Sequence, residues 1–203
     1  MTDSPRPPAP QELLHSLMQQ LEDAAEMADH PFHTAILTTQ GSDGPRSRTI
    51  VVRSACADTG SILLHTDRRS AKVSEIRNCP NGSLLCYDST AQVQLILSGQ
   101  LSIHTDDDIA QQLWDQSAAS SLRTYLAPHA PGTVLAGPDC NLPEEFRGRV
   151  PDRSELIAAR ANFAVIRLQL VLIEWLQLQR EGNLRMRMRL RQGTLTHADW
   201  IAP

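Results

Sequence analysis

Lysine is almost absent from this chain of 203 residues: 18 of its 19 basic residues are arginine, and Lys72 is the single lysine. Basic charge is not in excess either, because the formal net charge is −4, and this argues against a surface built for nucleic acid. No apolar run reaches the roughly 18 residues that a membrane-spanning helix requires, and the N-terminus lacks a signal-peptide pattern. These absences predict a cytoplasmic protein that binds neither nucleic acid nor a membrane.

Motifs for metals and nucleotides are missing as well. Four cysteines occur without CxxC spacing: Cys56, Cys79, Cys86 and Cys140. We interpret them as reduced and mostly buried thiols, with zinc binding or a redox pair as the alternative. His30 and His33 lie close together, but no cysteine or carboxylate cluster accompanies them, so we predict no metal site. The chain also contains no GxGxxG, phosphate-binding P-loop or GxSxG sequence.

The order of predicted elements favours a mainly β fold of the α+β class. Residues 1–10 are rich in proline and predict a mobile arm, whereas residues 11–30 place apolar side chains at helical spacing. About eight short strands follow, joined mostly by tight turns, and one helical and loop excursion over residues 106–160 interrupts them. The pattern predicts a single domain over residues 1–203, an antiparallel β-barrel with peripheral helices.

Short local signals mark element ends and irregularities. Ser70 stands where it can cap a helix that begins at Ala71. Three aspartates at positions 106–108 open the excursion, and we interpret them as charge at a helix N-terminus rather than as metal ligands. Gly99, inside a long apolar strand, predicts a bulge or bend.

Basic and hydroxyl side chains gather around the predicted helix start at Ser70. Arg48 stands at the head of one strand, Thr66 follows the end of a neighbouring strand, and Lys72 lies in the first helical turn. A helix N-terminus offers unpaired N–H groups, hydroxyls donate hydrogen bonds, and cations neutralise a dianion. The grouping therefore suits a phosphate, although by spacing alone a solvated basic turn explains it at least as well.

Further positions are ambiguous from the residues alone. Gln94 interrupts an apolar strand, and a buried amide there needs partners, from the backbone or from a polar heterocycle. Trp175 fits a core position as well as a ligand platform. In residues 184–191, arginine alternates with leucine and methionine, which a solvent-facing strand face explains.

The joint register of these positions resembles the pyridoxamine 5′-phosphate oxidase-like family of FMN-binding split β-barrels. That family combines an R-x-V-x-L-K-type strand, a Y/F-T segment, an S-x-K helix start, a strand glutamine, and a tryptophan followed ten residues later by an arginine. The corresponding residues here are Arg48 to Arg53, His65-Thr66, Ser70-Ala71-Lys72, Gln94, and Trp175 with Arg185. The resemblance covers residues 33–203, is strongest over 48–99 and is weak over 106–165.

The resemblance implies FMN bound at a homodimer interface. The implied cofactor-binding positions are Arg48, Thr49, Ile50, Val51, Arg53, His65, Thr66, Ser70, Lys72, Gln94, Trp175 and Arg185. Of these, Arg48, Ser70 and Lys72 would hold the phosphate. The implied substrate positions are Arg53, Arg123, Tyr125 and Arg187. We assign no catalytic acid or base, because in such a site the flavin carries the redox chemistry.

The chain departs from the family pattern mainly on the substrate side. Ala71 replaces the arginine beside the phosphate lysine, and Arg53 replaces a lysine that faces the substrate. His65 replaces an aromatic residue. The R-L-H-D-R sequence that holds the vitamer in true oxidases is also missing, because Glu181 and Asn183 occupy its arginine and histidine positions.

We therefore predict an FMN-dependent oxidoreductase that resembles pyridoxamine 5′-phosphate oxidase but uses another substrate. One alternative is a true pyridoxamine or pyridoxine 5′-phosphate oxidase with a rearranged anchor, such as Arg187 or Arg53. Another is a non-catalytic flavin- or haem-binding module on the same barrel. The sequence does not name the substrate or the electron donor, and it assigns no role to the loop at residues 129–153.

Overall fold

The computed structural model describes residues 8–203, so residues 1–7 of the expected arm lie outside the described part. Residues 8–203 form seven helical elements, five α-helices and two short 3-10 turns, and eight strands. The helices are α1 (Pro10–Glu26), α2 (Ala71–Asn78), α3 (Asp108–Gln116), α4 (Ala119–Leu122), α5 (Arg123–Leu126, a 3-10 turn) and α6 (Ile157–Arg160), and a second 3-10 turn covers Glu144–Phe146. The strands are β1 (Thr34–Gly41), β2 (Gly44–Cys56), β3 (Ser61–Asp67), β4 (Asn81–Asp88), β5 (Val93–His104), β6 (Phe163–Gln177), β7 (Leu184–Arg191) and β8 (Thr194–Trp200).

The strands form an antiparallel barrel with an extension. Their order is β3-β2-β1-β4-β5-β6-β7-β8, and β3 also pairs with β6, which closes the first six strands into a barrel. Strands β7 and β8 continue the sheet beyond β6. The antiparallel barrel with peripheral helices is thus confirmed, and so is the number of strands.

A β-bulge lets the long strand β5 bend as the barrel closes. The pairing of β5 with β6 shifts register between Ser98 and Gly99. A Cβ atom at Gly99 would lie 1.9 Å from the backbone oxygen of Gln169, so only glycine permits this close approach of two strands. The bulge predicted from Gly99 is confirmed.

Two apolar clusters hold the molecule together. The larger one fills the barrel, and helix α1 adds its buried face to it through residues such as Leu17 and Leu21. The smaller one lies outside the barrel, where the helices of the excursion pack onto β6 around Phe163, Trp114 and Tyr125. The excursion therefore lies against the barrel wall rather than apart from it.

The helix ends agree with the sequence signals, with one difference in detail. Asp107 caps α3 by accepting a hydrogen bond from the backbone N–H of Ala110, as predicted. Helix α1 ends at Glu26, before the predicted residue 30, because Met27 is extended and Pro31 disfavours helix at the residue before it. Ser70 occupies the N-cap position of α2, but its hydroxyl makes no capping bond. No helix within residues 8–203 is long and apolar enough to cross a membrane.

Candidate functional site

A buried carboxylate organises one end of the barrel. Glu75, on α2, is 7% exposed and accepts a 2.6 Å hydrogen bond from the hydroxyl of Thr39 on β1. Arg48 on β2 donates to the same carboxylate oxygen at 2.9 Å and also contacts Thr39. Arg46 approaches the other oxygen at 3.5 Å. Burial opposes ionisation of Glu75, but the Thr39 hydroxyl and the two arginines outweigh it and lower the pKa of this carboxyl.

A second group of polar side chains lies at the start of α2. Thr66 and Ser70 are both buried, with their hydroxyl oxygens 3.2 Å apart. The ammonium of Lys72 donates to Ser70 at 3.2 Å. Lys72 forms none of the ion pairs found within residues 8–203. Burial, and then the neighbouring charge of Arg48, lower the pKa of Lys72, and the carboxylates of Asp67 and Glu75 oppose this only in part.

Together these two groups form the cationic cluster: Arg46, Arg48, Thr66, Ser70, Lys72 and Glu75. Three cations face one buried carboxylate, and the exposed Asp43 also pairs with Arg46 at 3.5 Å, so the cluster keeps an excess of positive charge that suits a phosphate monoester. The hydroxyl of Ser70 makes no capping bond, and the first N–H groups of α2 lie beside it. Helix N-termini with hydroxyls and cations nearby are suited to phosphate groups. The structure thus brings together the residues that the sequence proposed for a phosphate.

Gln94 and Arg185 lie together, but on a different face. They stand in register on either side of Leu176, so all three side chains point to the outer surface of the sheet. Arg48 pairs with the buried Leu37 and points to the barrel interior. Gln94 is also three strands away from Arg48, about 14 Å. One copy of the chain does not bring Gln94 to the cationic cluster.

Trp175 lies on the face opposite to Gln94. It pairs with the buried Leu95, is 6% exposed, and contacts the ring of Trp200 edge-on with centroids 6.3 Å apart. The contact with a cofactor suggested for Trp175 stays a prediction. Thr49 and Val51 alternate with Ile50, so the first two face outward and Ile50 packs against the core.

Arg53 and His65 line a separate cavity beneath α3. Its volume is about 190 Å³, and Ser117 and Ser121 contribute hydroxyls to its wall. His65 lies 3.1 Å from the hydroxyl of Ser117 and packs edge-on against Phe163. Burial, and then the charge of Arg53, lower the pKa of His65 to about 3, so the imidazole is neutral near pH 7.

The other proposed substrate residues do not join this cavity. Arg123 donates at 2.6 Å to the backbone oxygen of Arg149. Tyr125 is 5% exposed in the outer apolar cluster, and burial raises the pKa of its hydroxyl. Arg187 and Arg185 are both paired with Glu174, at 2.8 and 2.9 Å. Of the four suggested substrate residues, only Arg53 reaches a cavity with its charge uncompensated.

Two contributors to these sites escaped the sequence analysis. Glu75 follows Lys72 by three residues on one helix, and that spacing could have indicated a shared face. Ser117 joins His65 only through tertiary packing, so no local pattern indicates it. Within residues 8–203, no group of three or more histidine, cysteine, aspartate or glutamate side chains is arranged to hold a metal ion.

Comparison with known proteins finds several that are similar to this barrel. Residues 11–105 match the family model described as pyridoxamine 5′-phosphate oxidase, FMN-binding domain. A solved relative is a pyridoxamine 5′-phosphate oxidase-related, FMN-binding protein from Nostoc punctiforme. It is 23% identical with a TM-score of 0.71, and the alignment covers 98% of this chain and 100% of that one. PhzG from Burkholderia lata, solved with tetrahydrophenazine-1-carboxylic acid, is 21% identical with a TM-score of 0.66, over 99% and 95% of the two chains.

A curated relative extends the match in sequence. The pyridoxine/pyridoxamine 5′-phosphate oxidase 2 of Arabidopsis thaliana is 31% identical over 130 residues, which are 61% of this chain. The match covers 64% of that relative, less than two thirds of its length. Residues 11–105 are thus similar to the FMN-binding domain of pyridoxamine 5′-phosphate oxidases, and the fold is similar to that of a solved FMN-binding protein.

Proposed function

We propose that this protein binds FMN through the cationic cluster and is an FMN-dependent oxidoreductase whose substrate is not pyridoxamine 5′-phosphate. The observation that carries the first part is the charge of the cluster, an excess of positive charge beside the N-terminus of α2. The residues present fit the phosphate group: Lys72 and Arg48 would neutralise it, and the hydroxyls of Ser70 and Thr66 would donate to its oxygens. Bound flavin would supply the hydride-accepting chemistry.

The outer face of the sheet supports a homodimer as the functional unit. Apolar side chains there include Ile36 and Tyr87, which are 41% and 46% exposed, and the partly buried Ile96. Gln94 and Arg185 lie on the same face. Exposed apolar patches of this kind mark interaction surfaces. A second copy placed on this face would bring Gln94 and Arg185 towards a flavin whose phosphate the first copy holds.

The substrate side argues against a rearranged vitamer anchor. The side-chain oxygen of Asn183 accepts a bond from the backbone of Gln179 within the β6–β7 turn, and Glu181 in that turn is exposed. Glutamate at this position repels a phosphate ester. Arg187 is already engaged by Glu174, which it shares with Arg185. The turn positions are therefore acidic or neutral and Arg187 is engaged, which leaves Arg53 as the suggested anchor without an ion pair.

Absorbance and mass measurements test the cofactor and the assembly. Protein purified with FMN should be yellow, should retain flavin on gel filtration, and should elute with the mass of a dimer by light scattering. Arg48→Ala should weaken FMN retention, whereas the exposed Arg191→Ala serves as the matched control. A colourless protein that ignores added FMN would contradict the proposal, and a monomer that holds FMN as tightly would contradict the dimer.

A true pyridoxamine 5′-phosphate oxidase is the second candidate, favoured by the 31% identity with the Arabidopsis enzyme. Oxygen consumption by the FMN-loaded protein separates this candidate from an oxidoreductase that acts on another substrate. Steady turnover with pyridoxamine 5′-phosphate supports the second candidate. Absence of turnover with this compound, together with flavin reduction by another donor, supports the first, and flavin that no donor reduces supports a carrier.

We also propose a cytoplasmic location. All four cysteines carry free thiols, and Cys86 is buried so that the pKa of its thiol is raised to about 12. Free thiols are typical of reducing compartments. Fractionation of the native host, followed by immunodetection, would test this location.

A further inference from the structure

The cavity at Arg53 has the features of a binding site distinct from the cationic cluster. It lies between β2, β3 and α3, and polar groups of His65, Gln116, Ser117 and Ser121 line it. A neighbouring cavity of about 440 Å³ shares Arg53 and Gln116 with it. The two together leave room for a small organic molecule with one end seated at Arg53.

Arg53 brings a charge into this cavity without a protein partner. Its Nε atom is buried and makes no hydrogen bond. It takes part in none of the ion pairs of residues 8–203. Burial lowers the pKa of the guanidinium, yet an arginine stays protonated near neutral pH. A buried N–H without a partner is costly, and an anion at Arg53 would satisfy it.

The other groups that line the cavity are neutral. The hydroxyl of Ser117 donates to the backbone oxygen of Leu113 at 2.5 Å. Because a hydroxyl has one hydrogen, its 3.1 Å contact with His65 places the proton on Nε2 of the imidazole. The pKa of His65 is about 3, so this ring adds no charge near pH 7. The cavity therefore presents one positive charge.

Acidic side chains in the neighbouring cavity limit the charge of a ligand further. Glu22, Asp23 and Glu26 of helix α1 line that cavity together with Arg53. The carboxylate of Glu22 accepts a 2.9 Å bond from the backbone of Ala57, which holds it on this side of the helix. These carboxylates repel any anion in the neighbouring cavity, and they repel a dianion more strongly than a monoanion, so the anionic group of a ligand would have to lie at Arg53 and carry a single charge.

We propose that the Arg53 cavity binds the carboxylate group of a small organic acid rather than a phosphate ester. The guanidinium fork offers Nε and one Nη to the two carboxylate oxygens, and the hydroxyl of Ser121 and the amide of Gln116 complete the contacts. This deepens the proposed function and rests on it in one respect, because the acid is taken to be the reaction partner of the flavin.

Binding of two matched probes tests the proposal. Benzoate and phenyl phosphate share an aromatic ring and differ in the anionic group, so isothermal titration of the FMN-treated dimer at pH 7.5 (roughly one unit above the ordinary histidine pKa) compares monoanion with dianion directly. Benzoate should bind at least about tenfold more tightly than phenyl phosphate. Arg53→Met should weaken benzoate at least about tenfold, and Arg53→Lys, which keeps the charge but loses the fork, should lie between. Arg191→Met is the matched surface control.

Other outcomes overturn the proposal. Tighter binding of phenyl phosphate, no binding of benzoate, or equal benzoate affinity in the Arg53→Met and native proteins would each do so. Flavin absorbance of the same samples is recorded separately. Retained FMN with no Arg53-dependent benzoate binding overturns this inference alone. Absent FMN with Arg53-dependent benzoate binding overturns the proposed function and leaves the carboxylate site standing.

Discussion

Thr66 and His65 are neighbours in sequence, yet they belong to two different environments on opposite sides of strand β3. Thr66 contacts Ser70 in the cationic cluster, where positive charge is in excess. His65 faces the Arg53 cavity, where one guanidinium lies among neutral groups. The strand alternation of side chains produces this division. The comparison indicates that the phosphate of the proposed cofactor and the proposed organic acid are recognised by separate sets of charges.

Removal of Lys72 should have the largest effect on FMN binding at the cationic cluster. Lys72→Met deletes a cation without a carboxylate partner, so the dissociation constant of FMN should rise by about 100-fold, equivalent to about 2.7 kcal/mol. Fluorescence titration measures it. Riboflavin lacks the phosphate, so its affinity should change little. Arg77→Met, exposed on the same helix, is the control, and an equal loss of riboflavin affinity would refute a role at the phosphate.

Substitution of Glu75 tests whether the cationic cluster depends on its buried carboxylate. Glu75→Gln should lower the free energy of unfolding by about 2 kcal/mol at pH 7, because a buried, hydrogen-bonded charge is lost beside Arg48. The folded pKa of Glu75 is depressed, so its stabilisation is present above the unfolded value of 4.5 and is lost as the pH falls through the folded pKa. Urea unfolding at pH 7 and pH 3 should show the difference narrowing, and a constant difference would count against the ion pair.

His65 tests whether the groups around Arg53 in its cavity are neutral. The pKa of His65 is about 3 in the folded protein, against the ordinary histidine value of 6.5. Between pH 3 and pH 6.5 the unfolded chain therefore binds a proton at this residue more readily than the folded protein does. Stability from this group is therefore lost as the pH falls from 6.5 towards 3, by up to about 1.4 kcal/mol per pH unit. His65→Phe keeps the aromatic contact with Phe163 and should flatten the pH dependence of urea unfolding in that range. An unchanged slope would refute a neutral buried imidazole.

The smallest expected effect is that of Arg53 on the cofactor. The resemblance named Arg53 as a cofactor residue, but its guanidinium lines the cavity with His65 rather than the cationic cluster. Arg53→Met should change the FMN dissociation constant by less than about threefold, within about 0.7 kcal/mol. The same fluorescence titration measures it beside Lys72→Met. A loss as large as that of Lys72→Met would merge the two sites into one.

Sequence patterns predicted the barrel and the phosphate residues because both are local. Strand alternation and tight turns indicate antiparallel pairing, and Ser70 with Lys72 marks a helix start within three positions. Gly99 indicated the bulge because a backbone approach of this kind excludes every side chain. These features need no knowledge of distant contacts.

Features formed by tertiary packing were beyond the same patterns. Glu75 acquires its role only when α2 packs against β1 and Arg48 reaches it from β2. The Arg53 cavity forms only when α3 covers β3 and brings Ser117 to His65. The sequence also did not show which face of the sheet carries the side chain of Gln94, because this depends on the register of β5 with β4 and β6.

Strand β3 has a consequence for how this protein could change during evolution. Because Thr66 and His65 alternate on one strand, a substitution at either position alters one site and leaves the other intact, whereas a slip of one residue would exchange the two side chains and damage both. Pairing of β3 with both β2 and β6 opposes such a slip. On the proposed assignment of the two sites, a substitution at His65 would therefore change the contacts with the organic acid and leave the phosphate contacts of Thr66 and Ser70 unchanged.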